Sequence, residues 1–167
     1  TDILRRANAG ILVNDQIVLA THIDEDKWRD LGAKLREDKI FDADSDPKFD
    51  RVCLLDDFTG SGTSFLRQRK DKSWTGKLRK FGLGLAAARQ KLGSDFPLTD
   101  DFSLHIHHYI SSHQARSTID ERLVEISAEI GSDDGWFSKI EVTEGILLPE
   151  NTKLTAENDP DMWEVCD

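Results

Sequence analysis

The run Val52-Cys53-Leu54-Leu55-Asp56-Asp57-Phe58-Thr59-Gly60-Ser61-Gly62-Thr63-Ser64 holds the chemistry of this chain. An apolar stretch ends in two carboxylates, and a loop of glycines and hydroxyls follows. Glycines let successive backbone N–H groups point into one concavity, and the hydroxyls of Thr59, Ser61, Thr63 and Ser64 add donors. A helix beginning near Thr63 and running through Phe65 and Leu66 would bring its positive end to the same place. Such a loop suits a phosphate monoester. Asp56 and Asp57 cannot favour that phosphate. They suit a neighbouring group that offers hydroxyl donors or a divalent cation. A sugar phosphate with free hydroxyls and Mg²⁺ meets both demands. The loop lacks the Lys-Ser/Thr pair of a Walker-type site, and nothing forms a hydrolase nucleophile elbow.

The elements that must position this loop alternate. A helix is expected from Asp24, with Trp28, Leu31 and Leu35 on its apolar face. Arg51 to Leu55 reads as a strand buried on both faces of a parallel sheet, with Cys53 in the core. Lys70 to Gly76 reads as a polar loop, and Leu78 to Leu92 as helical despite Gly82 and Gly84. Strands are expected over Ser103 to Ser111 and Lys139 to Leu148, with an amphipathic helix over His113 to Ile130 between them. Short apolar runs at Ile11–Val13 and Ile17–Ala20 flank a turn, and Pro160 could open a last helix. The fold class is therefore α/β, a Rossmann-like, mainly parallel sheet flanked by helices, whose ligands sit at the carboxyl ends of the strands.

At 167 residues the chain suits one domain, 1–167. It opens on Thr1 rather than Met, which reads as a piece of a longer protein. No stretch of about 18 apolar residues predicts a membrane span, and no signal-peptide pattern opens the chain. Two cysteines without metal or redox spacing fit a reduced, cytoplasmic setting. A net charge of −10 argues against a protein that coats nucleic acid. The charge is uneven: Arg67 to Lys91 holds nine basic residues and one acid, Asp71. Such an island either faces a phosphate-bearing ligand or is a solvated helix face. Nucleic acid would find a foothold only on segment 67–80.

The loop resembles the PRPP-binding signature of the type I phosphoribosyltransferases: four apolar residues, two acids, two variable residues, a small or acidic residue, Thr or Ser, Gly, any residue, then Thr or Ser. Val52 to Ser64 fills every slot. The resemblance implies a type I phosphoribosyltransferase-like fold in which Asp56 and Asp57 bind the ribose 2′ and 3′ hydroxyls, directly or through Mg²⁺ and water. Thr59 to Ser64 then supply the 5′-phosphate loop. Gly60 stands where the enzymes acting on 6-oxopurines place an Asp, which disfavours a hypoxanthine-guanine enzyme. A transferase also needs a pyrophosphate loop and a hood over the base, and neither is evident. Arg67 to Lys80 is one candidate for a mobile catalytic loop, with Lys77, Arg79 and Lys80 as diphosphate contacts.

Longer words, among them Asp2-Ile3-Leu4-Arg5-Arg6-Ala7-Asn8, His105-Ile106-His107-His108-Tyr109 and Leu147-Leu148-Pro149-Glu150-Asn151-Thr152-Lys153-Leu154, are similar to the phosphoribosyltransferase-like domains of bacterial conflict systems. That group occurs in anti-phage loci, some of them retron operons, beside a winged-helix partner. It implies a toxic effector acting at ribose C1 within a defence complex. The alternative is a non-catalytic module that senses a nucleotide or docks on a protein and keeps a degenerate loop.

Two smaller features remain. Alternation puts His105 and His107 on one face of their strand and His108 on the other. Polar packing is the expectation for the pair, while His108 or Tyr109 could line the cleft if it lies at the carboxyl end. Glu144 reads as a surface carboxylate unless it falls near the cleft. Trp28 is expected in the core, and Trp74, in the basic segment, is a candidate contact for a base or partner.

Overall fold

A computed structural model describes residues 6, 16–18, 23–38, 41–42, 45–131, 136–150, 152 and 157. Its elements are helix α1 (Glu25–Glu37), strand β1 (Phe49–Thr59), the short strands β2 (Arg67–Gln68) and β3 (Trp74–Thr75), helix α2 (Lys77–Leu92), a 3₁₀ turn (Gly93–Asp95), strand β4 (Leu98–Ser112), helix α3 (His113–Glu129) and strand β5 (Ile140–Leu148). The expected readings of Ile11–Val13, Leu19–Ala20, Cys166 and the helix at Pro160 lie outside the described residues, and Ile17 and Val18 join no strand.

Strands β1, β4 and β5 form one parallel sheet in that order, and β2 pairs with β3 in a separate antiparallel hairpin. Parallel neighbours need a crossover. Here α2 lies in the β1–β4 connection and α3 in the β4–β5 connection. The chain is thus α/β, with a three-stranded parallel sheet flanked by helices.

Local chemistry explains the helix ends. Asp24 caps α1 by accepting from the Lys27 amide at 2.8 Å. Glu25 and Asp26 occupy its first turn and Lys34 and Arg36 its last, matching the helix dipole. Ser112 caps α3 by accepting from the Ala115 amide at 3.0 Å.

The core draws Leu104 and Ile106 from β4, Phe65, Leu66, Leu78, Phe81 and Leu85 from the β1–β4 connection, and Ile119 and Ile126 from α3, with Val52, Leu54 and Val142 packed against it. Trp28 joins this cluster as expected and tilts against Phe96 at 5.2 Å.

Three expectations need correction. β1 is not buried on both faces. Among the described residues it pairs only with β4, and its alternate residues Arg51, Cys53 and Leu55 are exposed, so Cys53 is not a core residue. No helix starts near Thr63. The amides of Phe65 and Leu66 both donate to the Gly62 carbonyl, at 3.2 and 3.1 Å, closing a turn, and the helix waits until Lys77. The polar loop expected from Lys70 to Gly76 holds as far as Ser73, but Trp74 and Thr75 form β3. The segment belongs to the β2–β3 hairpin, closed by Arg69 N–H to Ser73 O at 2.8 Å and Lys72 N–H to Arg69 O at 3.0 Å.

Candidate functional site

The register of the sheet places Asp56, His108 and Glu144 side by side on three neighbouring strands. All three belong to the set whose next members toward the strand starts, Leu54, Ile106 and Val142, face the core. Near the carboxyl ends of β1, β4 and β5 the core face therefore changes from apolar to charged. Each acid holds a cation. Lys77 Nζ lies 2.9 and 2.8 Å from the two Asp56 carboxylate oxygens. Arg116 donates to Glu144 at 2.7 Å, to Asp120 at 2.7 Å and to the Val142 carbonyl at 3.0 Å. These bonds to Asp120 and Glu144 push the Arg116 pKa up.

His108 lies between the acids and is only 1% exposed. Burial pushes its pKa below the ordinary value, against the opposing pull of Asp56 and Glu144. Its Nε2 is buried without a hydrogen-bond partner among the described residues. The ring meets Phe65 edge-on at 5.0 Å.

The glycine-hydroxyl loop leaves the end of β1. Ser61 Oγ and Thr63 Oγ1 are 2.7 Å apart, and the Thr63 amide reaches Ser61 Oγ at 3.4 Å. Ser112, the cap of α3, donates its hydroxyl to the Gly60 carbonyl, so the loop is tied to the next crossover. Gly62 has φ +70°, and a Cβ there would stand 3.0 Å from both the Ala115 carbonyl oxygen and Ile119 Cγ1. Only glycine lets the loop lie so close to α3. The amides of Ser61, Gly62 and Ser64 donate to no group among the described residues, which leaves them as donors. Thr59 is buried, and its Oγ1 is also without a partner there.

The structure brings some expected site residues together and keeps others apart. Lys77 meets Asp56 directly. Arg79 and Lys80 occupy the same first turn of α2, whose cap, Gly76, makes no side-chain bond and which holds no acid. Asp56 and Asp57 diverge, since consecutive strand residues face opposite ways. The exposed Asp57 accepts from the Phe58 amide at 2.9 Å. Both carboxylates have the oxygen chemistry Mg²⁺ takes. Among the described residues, however, no three His, Cys, Asp or Glu side chains gather into a metal cluster.

His105 and His107 face away from His108, as alternation predicts, and share the Thr143 hydroxyl at 2.8 Å each. Trp74 is engaged within the chain, donating to Glu129 at 2.6 Å. Glu144 is not a free surface carboxylate. Sequence reasoning missed the Lys77–Asp56 pairing. Its one signal was a cationic first turn on α2, the reverse of what a helix dipole favours.

No protein-family model matches the chain, and no curated protein or solved structure matches it. No helix among the described residues is long and apolar enough to cross a membrane.

Proposed function

We propose that this chain binds PRPP or a related ribose 5-phosphate compound with Mg²⁺ and, as a type I phosphoribosyltransferase-like enzyme, acts at ribose C1. The observation that carries the reading is the signature Val52 to Ser64 leaving the carboxyl end of a parallel strand, with Asp56 in a charged row and Lys77 upon it. The ligand's 5′-phosphate takes the amides of Ser61, Gly62 and Ser64 and the hydroxyls of the Gly60 to Ser64 loop. Its ribose hydroxyls take Asp56 or Asp57. Lys77, Arg79 and Lys80 stand at the start of α2 for a diphosphate. Mg²⁺, when bound with the substrate, neutralises phosphate charge.

Transfer at C1 needs little covalent help from a protein. Holding the ribose and stabilising the departing diphosphate provide the rate enhancement. The resemblance to conflict-system domains makes the product of such a reaction a depleted or modified nucleotide, and the chain a toxic effector in anti-phage defence with a protein partner.

One observation favours a second reading, a docking module without turnover. The row beyond Asp56, His108 and Glu144 is Phe58, Ile110 and Ile146, which are 54%, 36% and 57% exposed. Apolar surface of this kind suits a protein partner. The two readings separate in an assay of pyrophosphate release from PRPP and Mg²⁺ with a panel of nucleobases and nucleotides. Release that Asp56→Asn/Asp57→Asn abolishes without altering assembly supports the enzyme. Partner binding by a folded chain that releases no pyrophosphate supports the module.

A further inference from the structure

Strands β4 and β5 carry a second constellation, on the sheet face opposite His108 and Asp56. Their register sets His105 beside Glu141 and His107 beside Thr143. Alternation sends all four side chains to one face. His105 Nε2 and His107 Nδ1 each lie 2.8 Å from the Thr143 hydroxyl oxygen, so two ring nitrogens converge on one point. The other nitrogen of His105, Nδ1, lies 3.1 Å from Glu141 Oε2. Tyr109 meets the His107 ring edge-on at 5.5 Å and steadies it.

The protons follow from the acceptors. An ionised carboxylate only accepts, so His105 gives its Nδ1–H to Glu141. A neutral His105 then presents an unprotonated Nε2. The Thr143 hydroxyl has one proton for two imidazoles, so it donates to His105 Nε2 and accepts from His107 Nδ1–H. A histidine that ligates a metal is held in the same way as His105, with one nitrogen on a carboxylate and the other lone pair aimed at a shared centre. His107 joins it by moving its proton to Nε2, the alternative neutral tautomer.

Imidazole suits late first-row divalent ions, whereas Mg²⁺ and Ca²⁺ prefer oxygen. A Zn–N bond is about 2.1 Å, so each nitrogen must close on the shared point by only about 0.7 Å. The way in is open, since the side chains of His105 and Glu141 are 29% and 71% exposed. Among the described residues no third His, Cys, Asp or Glu completes the set.

We infer that His105 and His107 form a binding site for a late first-row divalent metal ion, represented by Zn²⁺. Glu141 is its positioning residue, and Thr143 Oγ1 and water fill the remaining coordination. The site is independent of the ribose-phosphate reading and stands or falls without it.

The test is calorimetric titration of Zn²⁺ into the tag-free chain in excess Mg²⁺, which occupies any oxygen-only site, with circular dichroism to verify that each variant is folded. One equivalent should bind, and the melting temperature should rise with Zn²⁺. His105→Gln and His107→Gln should each weaken binding by more than about tenfold. Glu141→Gln should weaken it by about tenfold, the low end for a carboxylate behind a ligating histidine. Cys53→Ser, on the strand beside His105, and His113→Gln, on α3, should bind as the native chain does. A folded native chain that takes up no Zn²⁺ overturns the inference, as does binding that both histidine variants keep or that Cys53→Ser or His113→Gln removes. Unchanged affinity in Glu141→Gln overturns its positioning role. Should a histidine variant fail to fold, the imidazole ¹⁵N shifts of the native chain decide: Zn²⁺ should move His105 Nε2 and His107 Nδ1, and unmoved signals overturn the site.

Discussion

The imidazole of His108 meets the ring of Phe65 edge-on, with centroids 5.0 Å apart and planes at 75°. The central strand thereby supports the turn that closes the glycine-hydroxyl loop. The ring lies in a row of charge with Asp56 and Glu144, and burial outweighs the pull of these two acids.

That balance gives a pH dependence. The folded-state pKa of His108 lies below its unfolded value of 6.5. The unfolded chain therefore binds this proton first as pH falls, and stability drops. The contribution is whole above pH 6.5 and is lost below it, toward the lower folded-state value. Urea midpoints measured from pH 7.5 to pH 5 should fall for the native chain and fall less for His108→Phe. Equal losses would contradict the burial argument.

The close approach of Gly76 to Phe65 predicts a sharp difference between two glycines. Gly76→Ala should cost about 3 kcal/mol, from a strained φ and a collision with backbone. Gly131→Ala, where an added Cβ meets nothing within 4 Å, should change stability by under about 0.5 kcal/mol. Chemical denaturation of the two variants measures the contrast, and similar costs would refute it.

Glu129 gathers three contacts from the hairpin, one from Trp74 Nε1 at 2.6 Å and two from Gln68 Nε2 at 3.2 and 3.3 Å. Trp74→Phe removes the shortest. The expected cost is about 1 kcal/mol. Amide exchange should quicken at Arg69 and Lys72 in the hairpin and stay unchanged within α2. A Trp74→Phe variant as stable and as protected as the native chain would show that the hairpin does not depend on this bond.

The elements were legible where periodicity is strong. Trp28 and Leu31 gave α1, Ile119 and Ile126 gave α3, and the alternation of His105, His107 and His108 set the two faces of β4 correctly. The apolar run through Cys53 and Leu55 misled, because a run does not tell which of its residues face the core, and in β1 these two are exposed. The helix expected at Thr63 was displaced because the turn at Gly62 and the β2–β3 hairpin intervene before α2.

The loop could be read as a possible phosphate site from residue types alone. The row of Asp56, His108 and Glu144 could not, since it exists only in the register of three strands. Lys77 is 21 residues from Asp56, and only the fastening of α2 to the loop, by the Lys77 amide on the Ser64 carbonyl at 3.1 Å, joins them.

Direct binding decides the central claim. PRPP with Mg²⁺ should be titrated calorimetrically into the native chain and into the Asp56→Asn/Asp57→Asn variant. The account predicts saturable binding to the native chain and its loss in a variant that remains folded. A folded native chain that binds no PRPP, or a variant that binds it equally well, would contradict the ribose-phosphate site.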